Sequence, residues 1–314
     1  MPAFRFAHLS DPHLPLDPRR PPLRLLASKR VLGYMSWRKK RHRIHRPEVL
    51  QALLADIAAA APDHRVVTGD LVNIALPDEF ERARDWLAIV GAPEDVTLIP
   101  GNHDATVVFP WAEGMGLWRD WMAGDGSAGD ASPADDVDSL FPAVRVRGPV
   151  AFVGLSTAVP TPPLLANGRL GASQLERTET ALADLGRRGL FRVVMLHHPP
   201  VETEWGLKHA GERKSLSDRK AFQEMIARVG AELVLHGHTH VSRLSVLRTP
   251  AGTIPALCVP SASAVPSSKG AGARWHLYEV EREGEGWRLG VTARALTEAG
   301  GFVEAGRYSV RVGA

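Results

Sequence analysis

Short apolar runs recur along this 314-residue chain and alternate with stretches of 3.6-residue periodicity. Residues 4–9, 66–68, 96–99, 150–155, 192–196 and 233–235 are continuous runs rich in Val, Ile, Leu and Phe, the pattern of strands buried on both faces. Residues 144–146 pair with 150–155 as a hairpin. Between the runs, apolar residues at helical spacing predict helices at 47–60, 78–90 and 218–229. A further helix, opened by a Ser173/Glu176 capping box, runs to Leu185. Beyond Arg243 the pattern changes to period two, at 244–247, 253–259, 275–280 and 287–293, and reads as antiparallel sheet up to Val312. Alternating strands and helices followed by a run of strands predict an α/β fold.

Two stretches break that rhythm. In 15–46, Leu23, Leu26, Ala27, Val31, Tyr34 and Trp37 share one helical face, Leu25, Leu32 and Met35 lie off it, and Arg38-Lys39-Lys40-Arg41-His42-Arg43 follows. It reads as a helical insertion packed on the body with a solvated basic tail, or as an apolar-basic surface for an anionic lipid or membrane. In 110–143, Trp111, Met115, Trp118, Trp121 and Met122 form a short apolar helix ahead of a Gly/Asp/Ser/Ala-rich loop at 124–136. That stretch is a lid over a site or a helix capping the core.

The strand ends carry the chemistry. The first strand ends in Ser10-Asp11-Pro12-His13, where residues two apart in extended chain share a face. The second ends in Gly69-Asp70, the third in Gly101-Asn102-His103-Asp104. The run at 192–196 ends in His197-His198-Pro199-Pro200, and that at 233–235 in His236-Gly237-His238-Thr239-His240. Taken singly, each reads equally as a turn: Asp70 as a turn former or cap, His198 and His236 as structural histidines. Together they place oxygen and imidazole donors at five strand ends, which an α/β fold gathers along one sheet edge. His238 and His240, two apart beside a glycine, are the strongest local metal signal.

Charge narrows the partners. The net charge is +3, yet residues 19–46 hold eleven Lys/Arg and no Asp/Glu, leaving 38 − 11 = 27 basic against 35 acidic residues elsewhere, a net of −8. An acidic body with one basic segment points to a localised anionic partner and disfavours nucleic acid, which needs a broad basic track. The single cysteine, Cys258, excludes an intrachain disulfide and a thiolate metal site. No signal-length or membrane-length apolar run is present, so the expected location is the cytoplasm, with peripheral contact at the inner membrane face if 19–46 binds lipid.

These motifs, in this order and over residues 4–245, resemble the calcineurin-like metallophosphoesterases. The resemblance implies a four-layer sandwich of two mixed β-sheets flanked by helices. It makes residues 1–314 one metallophosphoesterase domain with insertions at 15–46 and 110–143. It implies that Asp11, His13, Asp70 and His240 hold one metal ion and that Asp70, Asn102, His197 and His238 hold a second, with Asp70 shared. It also implies a bridging hydroxide for in-line attack on phosphorus. His103 would serve the leaving oxygen, and Asp104 would orient and charge His103. Donors without thiolate suit Mn, Fe or Zn. The expected substrate is a small phosphodiester or phosphoanhydride. A hydrolase resembling UDP-2,3-diacylglucosamine pyrophosphatases, a monoesterase, a nuclease and a non-catalytic scaffold of the same fold are the alternatives.

Overall fold

Strands β5 (Val150–Gly154), β6 (Phe191–Met195) and β7 (Leu233–His236) divide their side chains between two cores with period two. Val150, Phe152, Phe191, Val193, Met195, Leu233 and Leu235 enter one core, while Ala151, Val153, Val194 and Val234 enter the other. This is the reason these strands lack polar alternation: both faces are covered. The computed structural model describes residues 3–16, 21–26, 28–127, 136–202, 214–266 and 272–313.

Two six-stranded mixed sheets result. The first contains β1 (Phe4–Leu9), β2 (His64–Val67) and β3 (Val96–Leu98) in parallel, followed on the β1 side by antiparallel β10 (Arg274–Glu283), β11 (Gly286–Leu296) and β12 (Phe302–Val312). The second runs β4-β5-β6-β7-β9-β8, with β4 (Ala143–Arg147), β8 (Arg243–Thr249) and β9 (Gly252–Cys258), and β9 lies parallel to β7. The chain after Arg243 is therefore not one antiparallel sheet. Its first two strands extend one sheet and its last three extend the other. Period two shows which face a residue occupies but not which sheet receives the strand.

The sheets pack face to face. Phe6 meets Phe152 edge-on at 5.2 Å between ring centroids and stacks on Tyr278 at 4.7 Å. Helices α4 (Pro47–Ala60) and α5 (Pro77–Val90) add Leu50, Leu53, Ile57, Phe80 and Leu87 to that core. Helices α8 (Ala172–Arg187) and α9 (Arg219–Val229) cover the second sheet through Leu182, Leu185, Phe222 and Met225. The expected four-layer α/β sandwich is the fold. Among the described residues, no helix is long and apolar enough to cross a membrane.

Three local expectations change. The Ser173/Glu176 capping box does not form: α8 begins after Gly171, and the Asp218 carboxylate accepts the Leu170 and Gly171 N–H groups instead. The expected long helix of the first insertion is broken into α1 (Leu23–Leu26), α2 (Arg30–Ser36), a π-turn at Trp37–Arg41 and α3 (His42–Ile44). Leu26, Tyr34 and Trp37 pack near Ile74 and Leu76, whereas Leu23 and Val31 of the same predicted face are exposed. Arg19, Arg20 and Ala27 lie outside the described residues. In 110–143, Trp118, in a 3₁₀ turn (Met115–Trp118), and Trp121 and Met122, in α6 (Arg119–Met122), join the core. The Trp118 and Trp121 indoles donate to the carbonyls of Phe80 and Gly91.

His64, at the start of β2, hydrogen-bonds Thr97 Oγ1 at 2.7 Å and lies against the Phe152 ring. Burial, then Arg147, Arg145 and Arg65, lower its pKa from 6.5 to about 3. Between those values the unfolded chain takes up a proton that the folded ring refuses, so this group's contribution to stability is present above 6.5 and is lost as pH falls towards 3. Urea unfolding midpoints are expected to drop across that window, and less steeply in His64→Gln, which keeps a donor for Thr97. An unchanged slope in the variant would rule out this source.

Candidate metal centre

β1, β2, β3, β6 and β7 all deliver their C-terminal ends to one edge of the sandwich. Eight non-glycine residues among those described have positive φ, and five are Asp11 (52°), His13 (39°), Asp70 (59°), His238 (69°) and His240 (55°). Such backbone costs about 1–3 kcal/mol per residue and persists only where surrounding bonds enforce it. Here the β1–β2 pairing continues past the strands: the Asp11 N–H donates to the Gly69 carbonyl at 2.9 Å, and the His13 N–H to the Asp70 carbonyl at 3.1 Å. Gly101 permits a close approach, because a Cβ there would stand 2.5 Å from the Asp70 backbone nitrogen and 2.8 Å from His197 Cε1.

The predicted donors converge. His240 Nε2 lies 3.1 Å from Asp11 Oδ1 and 3.3 Å from His13 Nε2. His13 Nε2 is 4.0 Å from Asp11 Oδ1 and 3.8 Å from Asp70 Oδ2. On the other side of Asp70, Oδ2 is 3.4 Å from His197 Nε2. Asn102 Oδ1 is 3.2 Å from His197 Nε2 and 2.7 Å from His238 Nδ1. These separations suit donors around ions held at about 2.0–2.2 Å. Asp70, His197 and His238 form one group able to hold a metal ion; His13 recurs in two others, with Asp70 and His103 and with His45 and His240.

Backbone carbonyls orient the rings. His197 Nδ1 donates to the Thr68 carbonyl at 2.7 Å and His13 Nδ1 to the Val72 carbonyl at 3.2 Å, which turns each Nε2 lone pair inward. Although burial opposes it, His197 and His103 hold Asp70 well below the usual carboxylate range. Burial likewise disfavours charge on His197, but Asp70 overrides it and raises that histidine to about 9. A metal ion in this pair would replace that proton. Burial, then Arg41, lowers His13 well below 6.5, keeping it neutral as a ligand must be. The donor set fits the metal ions that the sequence implies.

Asp104 departs from expectation. It does not orient His103: its carboxylate accepts the backbone N–H groups of Gly101 at 2.8 Å, Asp70 at 2.9 Å, Leu71 at 2.9 Å and Val72 at 3.1 Å. Side chains adjacent in sequence at a sharp turn diverge, so the neighbour of His103 ties the β2 and β3 ends together. His103 Nδ1 instead donates to the Asn73 carbonyl at 2.6 Å, and the buried Glu79 carboxylate accepts the Asn73, Ile74 and Leu76 N–H groups. Neither Asn73 nor Glu79 carries a recognisable signal in the sequence. His198 bonds Thr157 Oγ1 and the Ala166 carbonyl, and its ring packs on that of His238. His236 is buried and, among the described residues, its ring meets the Gly237 carbonyl at 3.4 Å.

The stretch 15–46 supplies two further residues. His45 Nδ1 bonds Ser263 Oγ at 2.9 Å, and its ring meets that of His13 at 4.6 Å. Arg41 reaches between His13 and His103. Both lie in a stretch whose basic composition reads as surface, and only their register on the broken helix distinguishes them. A cleft of about 810 Å³ opens over the site, walled by Leu32, Gly33 and Ile44 of the insertion and by Leu164, Leu165 and Arg219 opposite. No described residue of 110–143 lines it.

Residues 4–242 match the family model of the calcineurin-like phosphoesterases. The chain is 26% identical over 238 residues to a probable cyclic nucleotide phosphodiesterase of Synechococcus, covering 76% of this chain and 79% of that protein. It is 27% identical over 197 residues to another from Rhodococcus erythropolis, covering 62% of this chain and 56% of the other. Purple acid phosphatase PPD1 of yellow lupin has the same fold, with a TM-score of 0.59 at 11% identity over 98% of this chain and 53% of that one. With the family match spanning most of its length, this chain belongs to the calcineurin-like phosphoesterases.

Proposed function

We propose that the protein is a phosphodiesterase working through two metal ions, one held by Asp11, His13, Asp70 and His240 and the other by Asp70, Asn102, His197 and His238. One observation carries this reading: Asp70 Oδ2 faces both donor sets, 3.8 Å from His13 Nε2 and 3.4 Å from His197 Nε2. A shared carboxylate lowers the repulsion between two cations and sets their spacing. Donors of oxygen and nitrogen, without sulfur, favour Mn, Fe or Zn. When bound, such ions supply positive charge that acidifies a water and stabilises a phosphoryl group.

The chain's own groups do the rest. Asp11 and Asp70 are the carboxylates of the centre, and the amides bonded to Asp104 keep the strand ends in register. With Nδ1–H on the Asn73 carbonyl, a neutral His103 offers a lone pair at Nε2; burial, then Arg41, lowers its pKa to about 4. It therefore serves the leaving oxygen as a donor only once an anionic substrate raises that value. The 810 Å³ cleft exceeds what one phosphoryl group fills and leaves room for an organic substituent on it. The two phosphodiesterase relatives support an ester with two substituents.

Protein reconstituted with Mn, Fe or Zn is expected to hydrolyse bis(p-nitrophenyl) phosphate and cyclic nucleotides faster than p-nitrophenyl phosphate. The reverse order would overturn the diester preference, and inactivity on every phosphoester would overturn the enzyme reading. His103→Gln should lower kcat by about 10²-fold, the low end for acid–base groups because p-nitrophenolate leaves with little help. Its metal content should stay at the wild-type level.

A second reading concerns substrate class. Leu32 and Met35 are 42% and 51% exposed beside the basic run, and Leu164 across the cleft is 75% exposed. Such a rim suits an anionic phosphoester with an apolar tail. Nucleotide-diphosphate lipids in the hydrolysis panel test it; turnover no faster than that of the head group alone removes it.

A further inference from the structure

We propose that Arg41 is a substrate-binding residue, delivered into the centre by the insertion to hold a phosphoryl oxygen of the bound ester. The proposal rests on the phosphodiesterase reading and adds a residue that the strand-end motifs do not contain.

The guanidinium lies between two rings of different function. One terminal nitrogen is 3.1 and 2.9 Å from Nδ1 and Nε2 of His13, and the other is 3.2 and 3.1 Å from Nδ1 and Nε2 of His103. An atom nearly equidistant from both nitrogens of an imidazole cannot lie on either lone pair without colliding with Cε1. Each contact is therefore over a ring face, and the rings' in-plane donors stay free for other partners. Among the described residues, no carboxylate lies within ion-pair distance of Arg41, although Asp70 and Asp11 are close enough to act on its charge. A cation whose neighbours, among the described residues, are imidazole faces has N–H donors left for an anion. The planar guanidinium fork matches two oxygens of a phosphate.

Its position is built, not incidental. Arg30, which is buried, donates from Nε to the Ile74 carbonyl at 3.1 Å and from its terminal nitrogen to the Ala75 carbonyl at 2.6 Å. Gly33 allows α2 to close on Ile74, where an added Cβ would stand 2.5 Å from Cγ2. At the other end, the Arg46 N–H donates to the Ser263 carbonyl, the Val265 N–H to the Ile44 carbonyl, and His45 bonds the Ser263 hydroxyl. Between these anchors the π-turn at Trp37–Arg41 shifts the helical register. Arg41 faces the site while Lys39 and Arg43 stay exposed. Placed between a metal-side histidine and the histidine assigned to the leaving oxygen, the guanidinium stands where a phosphoryl oxygen would need a third cation.

The test uses the metal-reconstituted full chain and the variants Arg41→Gln, Arg41→Lys and, as a control, Lys39→Gln/Arg43→Gln. Metal content, inhibition by inorganic phosphate, and kcat and KM on bis(p-nitrophenyl) phosphate are measured for each. Arg41→Gln is expected to weaken phosphate inhibition and raise KM by about 10- to 100-fold with metal content unchanged. Arg41→Lys should recover part of that loss, and the control should match wild type. Unchanged phosphate inhibition and KM in Arg41→Gln would overturn the proposal, as would loss of metal in both Arg41 variants. If the wild type hydrolyses nothing, calorimetric phosphate binding still decides the matter. Binding that needs Arg41 keeps the anion site and sinks only the phosphodiesterase reading.

Discussion

Asp70→Asn is expected to empty both metal positions together and to lower kcat/KM by about 10³-fold or more, since a charge used by both donor sets is lost. Asp70 Oδ1 already accepts the His103 N–H at 2.7 Å, so an asparagine will keep its carbonyl oxygen there. Its NH2 group then faces His13 and His197, where it can neither ligate nor balance charge. Asn102→Ala makes the contrast, because among the described residues Asn102 Oδ1 faces His197 and His238 alone. That variant should keep one tightly held ion. Metal analysis after gel filtration separates the cases; retention of the same single ion by both variants would show that Asp70 is not shared.

Asp104→Ala should behave as a folding defect before a catalytic one. It leaves four N–H groups at the β2 and β3 ends without their acceptor. With partial rescue by water the loss is about 4 kcal/mol, which for a chain of this size lowers Tm by roughly 10 °C. Asp104→Asn keeps one acceptor oxygen and should fall between. Were Asp104 only a partner of His103, activity would fall while Tm held, so calorimetry beside kinetics tells the two roles apart.

The strand-end motifs were legible without coordinates because each sits where an apolar run stops. A run buried on both faces admits few polar side chains, and those it holds must be paired, as His64 is with Thr97, so a cluster of polar residues marks its end. Asp11, His13, Asp70, Asn102, His197, His238 and His240 were found in that way, and the fold brings all seven together. The family resemblance added their pairing and the role of His103. Arg41 and His45 escaped because a basic stretch looks alike whether its side chains face water or a site. The break at Trp37–Arg41 that turns Arg41 inward depends on anchors at Ile74 and Ser263, far away in sequence.

By itself the sequence determined the α/β class, the order of the strand ends that carry oxygen and imidazole groups, and the chemistry of those groups, since all three follow from local periodicity and residue type. Only the tertiary structure decided which sheet each late strand joins, that Asp104 binds backbone amides in place of His103, and that the basic insertion reaches the centre. Those outcomes depend on contacts between residues distant in the chain, and no local pattern encodes the direction in which a turn sends its side chains.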